Sequence, residues 1–113
     1  MKNEVVIASQ DEIIAIETAH GIGVKRVLIT QHQCESNLMQ AALGELKCGD
    51  KIEPHQHLTM EEFYFINEGS GVFEINNQEF ALNAGSFIKI PAGAFHGLEA
   101  KTNLHFIYWG IAK

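Results

Sequence analysis

Residues 49–62 read GDKIEPHQHLTMEE and contain three side chains that commonly bind transition metals, His55, His57 and Glu62. Alternate residues of a β-strand project to the same face, so His55 and His57 are predicted to point the same way from one strand. The four residues between His57 and Glu62 are enough for a turn, after which Glu62 returns on the next strand. The stretch therefore predicts two neighbouring strands that bring imidazole and carboxylate groups together.

A second stretch, residues 85–96, reads GSFIKIPAGAFH and ends on a third histidine. Pro91 and Gly93 favour a turn before it, since proline stops a strand and glycine accepts the positive φ of tight turns. His96 lies 34 residues beyond Glu62, so only a folded sheet could bring the two together. The four residues predict a metal site. The structural alternative is a set of histidines satisfied by core hydrogen bonds, or a barrel that keeps these residues without an ion.

The spacing of these residues resembles the two signature motifs of the cupin superfamily. The first motif reads Gly49, five residues, His55-x-His57, four residues, Glu62, six residues, Gly69; the second reads Gly85, five residues, Pro91-x-Gly93, two residues, His96. The second motif usually ends on Asn four residues after its histidine, and this chain has Ala100 there. In the family that Asn supports a turn and is not a metal ligand. The resemblance, to a small single-domain cupin, implies a jelly-roll barrel in which the three histidines and Glu62 bind a metal.

Short apolar runs separated by turn residues recur along the whole chain. They lie at residues 4–7, 13–16, 24–29, 39–46, 63–66, 71–75, 79–82, 86–90 and 104–109. This spacing favours a double-sheet β-barrel, and Asn76-Asn77 is a hairpin-turn candidate because Asn tolerates the left-handed region. Residues 36–46 have apolar positions near helical spacing, but we favour a strand because they lead into the first motif. The predicted fold class is all-β, a double-stranded β-helix or jelly-roll barrel with extra N-terminal strands.

The length of 113 residues gives room for one domain, residues 1–113. Residues 41–113 are predicted to form the core barrel that carries both motifs, and residues 1–40 to form the N-terminal strands. In small cupins such strands often pair with a second subunit. An exposed sheet edge invites uncontrolled pairing, so we expect this segment to contact its copy in a homodimer.

The composition argues against several classes of partner. Hydrophobic residues make up 46% of the chain, which is enough for a compact core, and eight basic against fourteen acidic residues give a net charge of −6. That charge argues against nucleic acid and against an anionic membrane surface. No run approaches 18 apolar residues and the N-terminus lacks the apolar core of a signal peptide, so we expect a cytoplasmic protein. Cys34 and Cys48 are too few for a disulfide framework or a cysteine zinc site.

Three imidazoles and one carboxylate suit a divalent transition metal ion, and the ligand types do not choose among manganese, iron, zinc, nickel and cobalt. Four protein ligands on an octahedral ion leave about two positions for water or substrate. A small hydroxy-ketone, diketone or hydroxy acid could chelate there. The ion would polarise the substrate oxygen as a Lewis acid and stabilise an enolate, or, if it is iron, bind dioxygen.

Three further residues are catalytic candidates. Tyr64 has the strand parity of Glu62, so we predict that it faces the barrel interior and donates a hydrogen bond to substrate; a core tyrosine bonded to a backbone carbonyl is the alternative. His20 and His105 could act as general bases, although a lone histidine is more often a surface or satisfied core residue. The core and the pocket wall are assigned to six phenylalanines, Phe63, Phe65, Phe73, Phe80, Phe87 and Phe95.

These features leave more than one class of function open. The first is a metal-dependent enzyme on a small oxygenated metabolite, either an isomerase of the sugar or keto-acid type or a dioxygenase. The alternative is a non-catalytic cupin that binds or senses a small molecule, and the third is a structural barrel with an incidental metal. A general acid or base that touches the pocket would favour the enzyme, whereas a sealed apolar pocket would favour binding.

Overall fold

A computed structural model describes residues 2–113 and shows a chain that is almost entirely β-strand. Two 3₁₀ helices lie at Gln10–Glu12 and Gln31–Gln33. The strands are β1 (Ile16–Glu17), β2 (Val24–Thr30), β3 (Leu38–Leu46), β4 (Lys51–His55), β5 (Met60–Glu68), β6 (Ser70–Ile75), β7 (Gln78–Asn83), β8 (Phe87–Ile90), β9 (His96–Ala100) and β10 (Leu104–Ala112). Within the described chain, no helix is long and apolar enough to cross a membrane.

The strands form two antiparallel sheets, as the predicted jelly-roll fold requires. One sheet has six strands in the order β1-β2-β3-β10-β5-β8, and the other has four in the order β4-β9-β6-β7. Their inner faces share one core, to which the first sheet contributes Leu46, Ile66 and Phe106, and the second contributes Phe73 and Leu98. Burial of these apolar side chains is the main force that holds the sheets together.

Strand alternation decides which side chains of β5 and β10 enter the barrel. In β5, Glu62 and Ile66 are buried, so Tyr64 between them also faces inward. Tyr64 is paired with Tyr108 across β5 and β10. The prediction that Tyr64 shares the face of Glu62 is confirmed, and the same register brings Tyr108 beside it.

The predicted hairpin turn lies between β6 and β7. Asn76 and Asn77 have φ values of 48° and 68°, in the left-handed region that Asn tolerates. The side-chain oxygen of Asn76 accepts a hydrogen bond from the backbone N–H of Phe95, at 3.0 Å. The turn is therefore tied to the residue that precedes His96.

The N-terminal segment forms fewer strands than predicted. β2 pairs with β3 along its length, but β1 has only two residues, and the runs at 4–7 and 13–15 lie outside any strand. Val5 and Ile7 are 88% and 92% exposed. An apolar run forms a strand only where a neighbouring strand pairs with it, and residues 4–7 and 13–15 are not paired in either sheet.

The assignment of all six phenylalanines to the core and the pocket wall was wrong. Phe73 is buried, whereas Phe65, Phe80, Phe87 and Phe95 are exposed by 38–55%. Phe63 and Phe65 alternate with Glu62 and Tyr64 along β5, so they face outward. On that outer face the rings of Phe63 and Trp109 stack at a centroid distance of 5.6 Å.

Strands β4 and β9 carry motif residues but did not stand out as apolar runs. β4 reads KIEPH and contains one aliphatic residue, and β9 reads HGLEA. Moreover, β4 ends at His55, so His57 lies in the following loop and not on the same strand as predicted. The two histidines reach the same point because the loop turns back toward the barrel, not because of strand alternation alone.

Candidate metal centre

Four side chains converge at one end of the barrel. His55 ends β4, His57 follows in the loop, Glu62 lies in β5 and His96 begins β9. One nitrogen or oxygen atom from each of these four lies within 4.8 Å of every other. The two sheets both contribute, because Glu62 belongs to the six-stranded sheet and His96 to the four-stranded one. The structure thus brings together the four residues that the sequence motifs selected.

The buried part of this cluster is suited to a positive ion. Glu62 and His96 are only 7% and 4% exposed. The Oε1 atom of Glu62 lies 2.8 Å from Nε2 of His96 and 3.5 Å from Nε2 of His57. Both atoms are buried, and neither Oε1 of Glu62 nor Nε2 of His96 makes a hydrogen bond of good geometry to any group of the described chain. Buried polar atoms without partners are costly, and a shared cation would satisfy both.

Hydrogen bonds at Nδ1 of two histidines fix the tautomer that metal binding requires. Nδ1 of His55 lies 3.1 Å from the backbone oxygen of Glu53, and Nδ1 of His96 lies 3.0 Å from that of Ala94. A carbonyl oxygen only accepts hydrogen bonds, so Nδ1 of each neutral ring must carry the proton. Nε2 then presents its lone pair to the cluster, which is the usual support for a metal-binding histidine.

The surroundings shift the pKa values of two cluster histidines in opposite directions. Burial lowers the pKa of His55, partly opposed by its bond to Glu53. Burial also lowers the pKa of His96, but the Glu62 carboxylate and the Ala94 carbonyl outweigh it and raise this pKa above its usual value. Glu62 therefore attracts positive charge to this position, and a metal ion would take the place of the proton on His96.

A cavity of about 170 Å³ opens from the cluster into the barrel. His57 and Glu62 form one end of it, and Tyr64 and Tyr108 form part of the wall. The two phenol rings stack with their centroids 5.4 Å apart. Burial, with the nearby charge of Glu62, raises the pKa of Tyr64 well above its usual value and that of Tyr108 to about 12. Both phenols are therefore protonated at neutral pH and can donate hydrogen bonds into the cavity.

The two other catalytic candidates lie in different places. His20, in the loop between β1 and β2, lines the cavity, and its ring centroid is 4.3 Å from that of His55. Burial, then the charge of His57, lowers the pKa of His20, with a smaller contribution from Lys25. His105 does not line this cavity; its Nδ1 lies 3.4 Å from the carboxylate of Glu45, beside a surface cleft.

Sequence reasoning missed five polar residues of the cavity, Thr18, Lys25, Gln40, Glu45 and Tyr108. Tyr108 could have been found, because it alternates with Phe106 and Gly110 along β10 and these two are buried. Lys25 and Gln40 carried no comparable signal. They come from β2 and β3, outside both motifs, and only the pairing of these strands brings them together.

Comparison with known proteins supports this architecture. Residues 42–109 match the family model for the cupin domain. Dimethylsulfoniopropionate lyase DddW from Ruegeria pomeroyi is 34% identical over 84 residues, which cover 74% of this chain and 55% of that protein. An uncharacterised protein, MJ1618, from Methanocaldococcus jannaschii is 39% identical over 51 residues, 45% of this chain and 41% of that protein. The chain thus spans about half the length, or less, of these two curated relatives.

Among solved structures, a predicted oxalate decarboxylase from Thermotoga maritima superposes with a TM-score of 0.85 at 25% identity. The match covers 97% of this chain and 100% of that one. The family model covers well over half of the chain and includes both motifs and all four cluster residues. The protein is therefore a member of the cupin family.

Proposed function

We propose that the protein is a metal-dependent enzyme that moves a proton at the carbon beside a carbonyl or carboxylate group of a small oxygenated acid. The observation that carries this proposal is the cavity itself, in which groups able to give or take a proton lie beside the four-residue cluster. Tyr64, Tyr108 and His20 all line it, together with His57 and Glu62. A pocket that only held a ligand would have no need of so many proton-transfer groups.

His55, His57, Glu62 and His96 would hold a divalent transition metal, which supplies Lewis-acid polarisation of a substrate oxygen when bound. Side chains that line the cavity would supply the hydrogen bonds and the proton acceptor. Tyr64 reaches the cavity as a hydrogen-bond donor and would support negative charge on that oxygen. His20, at the cavity mouth, is the group that could accept the proton from carbon.

The names of the related proteins are compatible with this proposal. A lyase and a predicted oxalate decarboxylase are among them. Elimination, decarboxylation and isomerisation all develop negative charge beside a carbonyl or carboxylate, so one site design serves all three. The proposal accordingly covers lyase, decarboxylase and isomerase chemistry, with a non-catalytic binding cupin as the alternative.

The test is exchange of carbon-bound hydrogen in D₂O, followed by proton NMR. Protein purified without chelators is first analysed for metal, then incubated with pyruvate, lactate, hydroxyacetone and dimethylsulfoniopropionate. The proposal expects about one equivalent of metal and loss of a specific C–H signal, or a new product, with at least one compound. Tyr64→Phe should slow this reaction while it leaves the metal content unchanged.

Glu61→Gln is the matched control, because Glu61 precedes Glu62 but pairs with Lys89 on the outer face at 3.7 Å. It should react like the unaltered protein, whereas Glu62→Gln should lose metal and reaction together. Metal-loaded protein that binds these acids without exchange or product would support the binding alternative. Substrate-dependent dioxygen uptake without exchange would support a dioxygenase instead.

A further inference from the structure

The cavity beside the metal cluster has further polar residues in its lining. Lys25 projects from β2 and Gln40 from β3, and both line the cavity that contains His57 and Glu62. The Lys25 ammonium donates a hydrogen bond to Oε1 of Gln40, at 3.0 Å. Since this partner is a neutral amide, the contact leaves the positive charge of Lys25 uncompensated.

The register of β2 and β3 places Lys25 and Gln40 on the same inner face of the sheet. Gln40, Ala42 and Gly44 alternate onto the inner face of β3, and Lys25 is paired with Gly44. Ala42 is fully buried, and a side-chain carbon on Gly44 would collide with the ring of Phe106. The Phe106 ring therefore fills the space over Gly44, and Lys25 reaches Gln40 on the same face of the sheet.

The orientation of the amide follows from the chemistry of its partner. A lysine ammonium has only donors, so the oxygen of Gln40 must face it, and the amide NH₂ group is left as the donor end. The pair therefore offers N–H donors from both side chains and one positive charge. A carboxylate only accepts hydrogen bonds and is negative, so it matches this set.

The acidic residues around the cavity do not oppose this match. Glu45 also lines the cavity, but its carboxylate accepts a bond from Arg26 at 3.0 Å. Glu62 belongs to the metal cluster. Lys25 is the lysine of the cavity lining, and no arginine lines it among the described residues, so Lys25 is where an anionic substrate group would be attracted.

We propose that Lys25 and Gln40 bind the carboxylate of a small substrate acid, while another oxygen of the same molecule faces the metal cluster. This inference rests on the proposed function and adds the substrate class. The cavity of about 170 Å³ holds roughly six water-sized groups at about 30 Å³ each, which corresponds to an acid of the size of lactate or pyruvate.

The test measures binding to protein loaded with Co²⁺, by calorimetry and by the visible spectrum of the ion. The ligands are lactate and pyruvate, each compared with its neutral amide. Unaltered protein should bind at least one acid about tenfold or more tightly than its amide. Lys25→Met, which keeps an unbranched side chain one atom shorter and removes the charge, should lose most of that preference and should bind the amide as before. Gln40→Glu, which gives Lys25 an internal carboxylate, should have the same effect.

Lys89→Met is the matched control, because this lysine lies on the outer face and pairs with Glu61. It should keep the full preference for the acid. Lys25→Met and Gln40→Glu proteins that bind Co²⁺ and prefer the acids as strongly as the unaltered protein would overturn the inference and leave the proposed function standing. Equal binding of acids and amides by the unaltered protein would also overturn it. Unaltered protein that takes up no Co²⁺ would refute the proposed function, and this inference with it.

Discussion

Glu61 and Glu62 are neighbours in sequence but lie in opposite environments. Glu62 is buried beside His96, whereas Glu61 is paired with Lys89 at the surface. This contrast follows from strand alternation. Strand alternation also predicted that Tyr64 faces the barrel interior, because residues two apart on one strand point to the same face.

Replacement of Glu62 provides the sharpest residue-scale prediction. Glu62→Gln removes the negative charge among the four side chains, so we expect metal affinity to fall by more than about tenfold. Glu61→Gln should bind metal like the unaltered protein. The measurement is competition for Zn²⁺ against a chromophoric chelator. Equal affinities for the two variants would contradict the assignment of Glu62 as a ligand.

The imidazoles predict how metal affinity depends on pH. A histidine binds metal only when neutral, and Glu62 raises the pKa of His96, so a proton competes with the metal there. Affinity should therefore be highest above neutral pH and should fall as the pH drops through the raised pKa of His96, so the fall begins above the usual histidine value of 6.5. Zn²⁺ titrations between pH 5 and 8 measure this directly. A constant affinity over that range would exclude imidazole ligands.

At the scale of elements, the pairing of β4 with β9 places two of the cluster histidines opposite each other. His55 is paired with His96 across these strands, and Gly97 follows directly. An added carbon on Gly97 would lie 2.7 Å from the backbone oxygen of Ile52, so the close approach of β4 depends on this glycine. Neither strand stood out in the sequence, because a short, partly charged strand such as β4 is stabilised by its neighbours and not by its own apolar pattern.

Gly97→Ala is expected to damage both stability and the metal centre. The methyl group must push β4 away from β9, at a cost of about 1–3 kcal/mol in the free energy of unfolding. His55 moves with β4, so metal affinity should fall as well. Urea denaturation and Zn²⁺ competition measure the two effects. Ser86→Ala, on the far side of the barrel at the β7–β8 turn, should lose stability without losing metal affinity.

Other elements show where sequence patterns are sufficient and where they fail. The turn at Asn76-Asn77 was predictable, because few residues other than glycine accept a positive φ. Val5 and Ile7 resemble a strand in composition but lack a partner strand. The contact between Lys25 and Gln40 could not be predicted from the sequence for a related reason, since it depends on the long-range pairing of β2 and β3.

At the scale of the whole molecule, an apolar surface lies on the outside of the six-stranded sheet. Phe63, Phe87 and Trp109 form a group of neighbouring rings there, and Phe87 is 55% exposed. Exposed apolar patches often mark contact surfaces between proteins. The expected homodimer thus has a second candidate contact beside the N-terminal segment.

Light scattering tests the homodimer. The chain has a mass of 12.6 kDa, so the expected particle has twice this mass. Phe87→Glu places a charge on the aromatic surface and should shift the particle toward the single-chain mass if this surface forms the contact. Phe80→Glu, on β7, is the comparison variant and should remain a dimer. A mass of 12.6 kDa for the unaltered protein would exclude a stable dimer.

The division of the cluster between two sheets has a mechanical consequence. Glu62 belongs to the six-stranded sheet, and His55 and His96 belong to the four-stranded sheet. An ion bound to all three would therefore link the two sheets. An ion present at 100 times its dissociation constant adds about 2.7 kcal/mol to the free energy of unfolding, which corresponds to a rise in melting temperature of roughly 10 °C. A chelator should therefore lower the melting temperature, and His57→Ala should show little response. The melting temperature of this protein would then depend on the concentration of available metal, so that a loss of metal would shorten the time for which the barrel stays folded at high temperature.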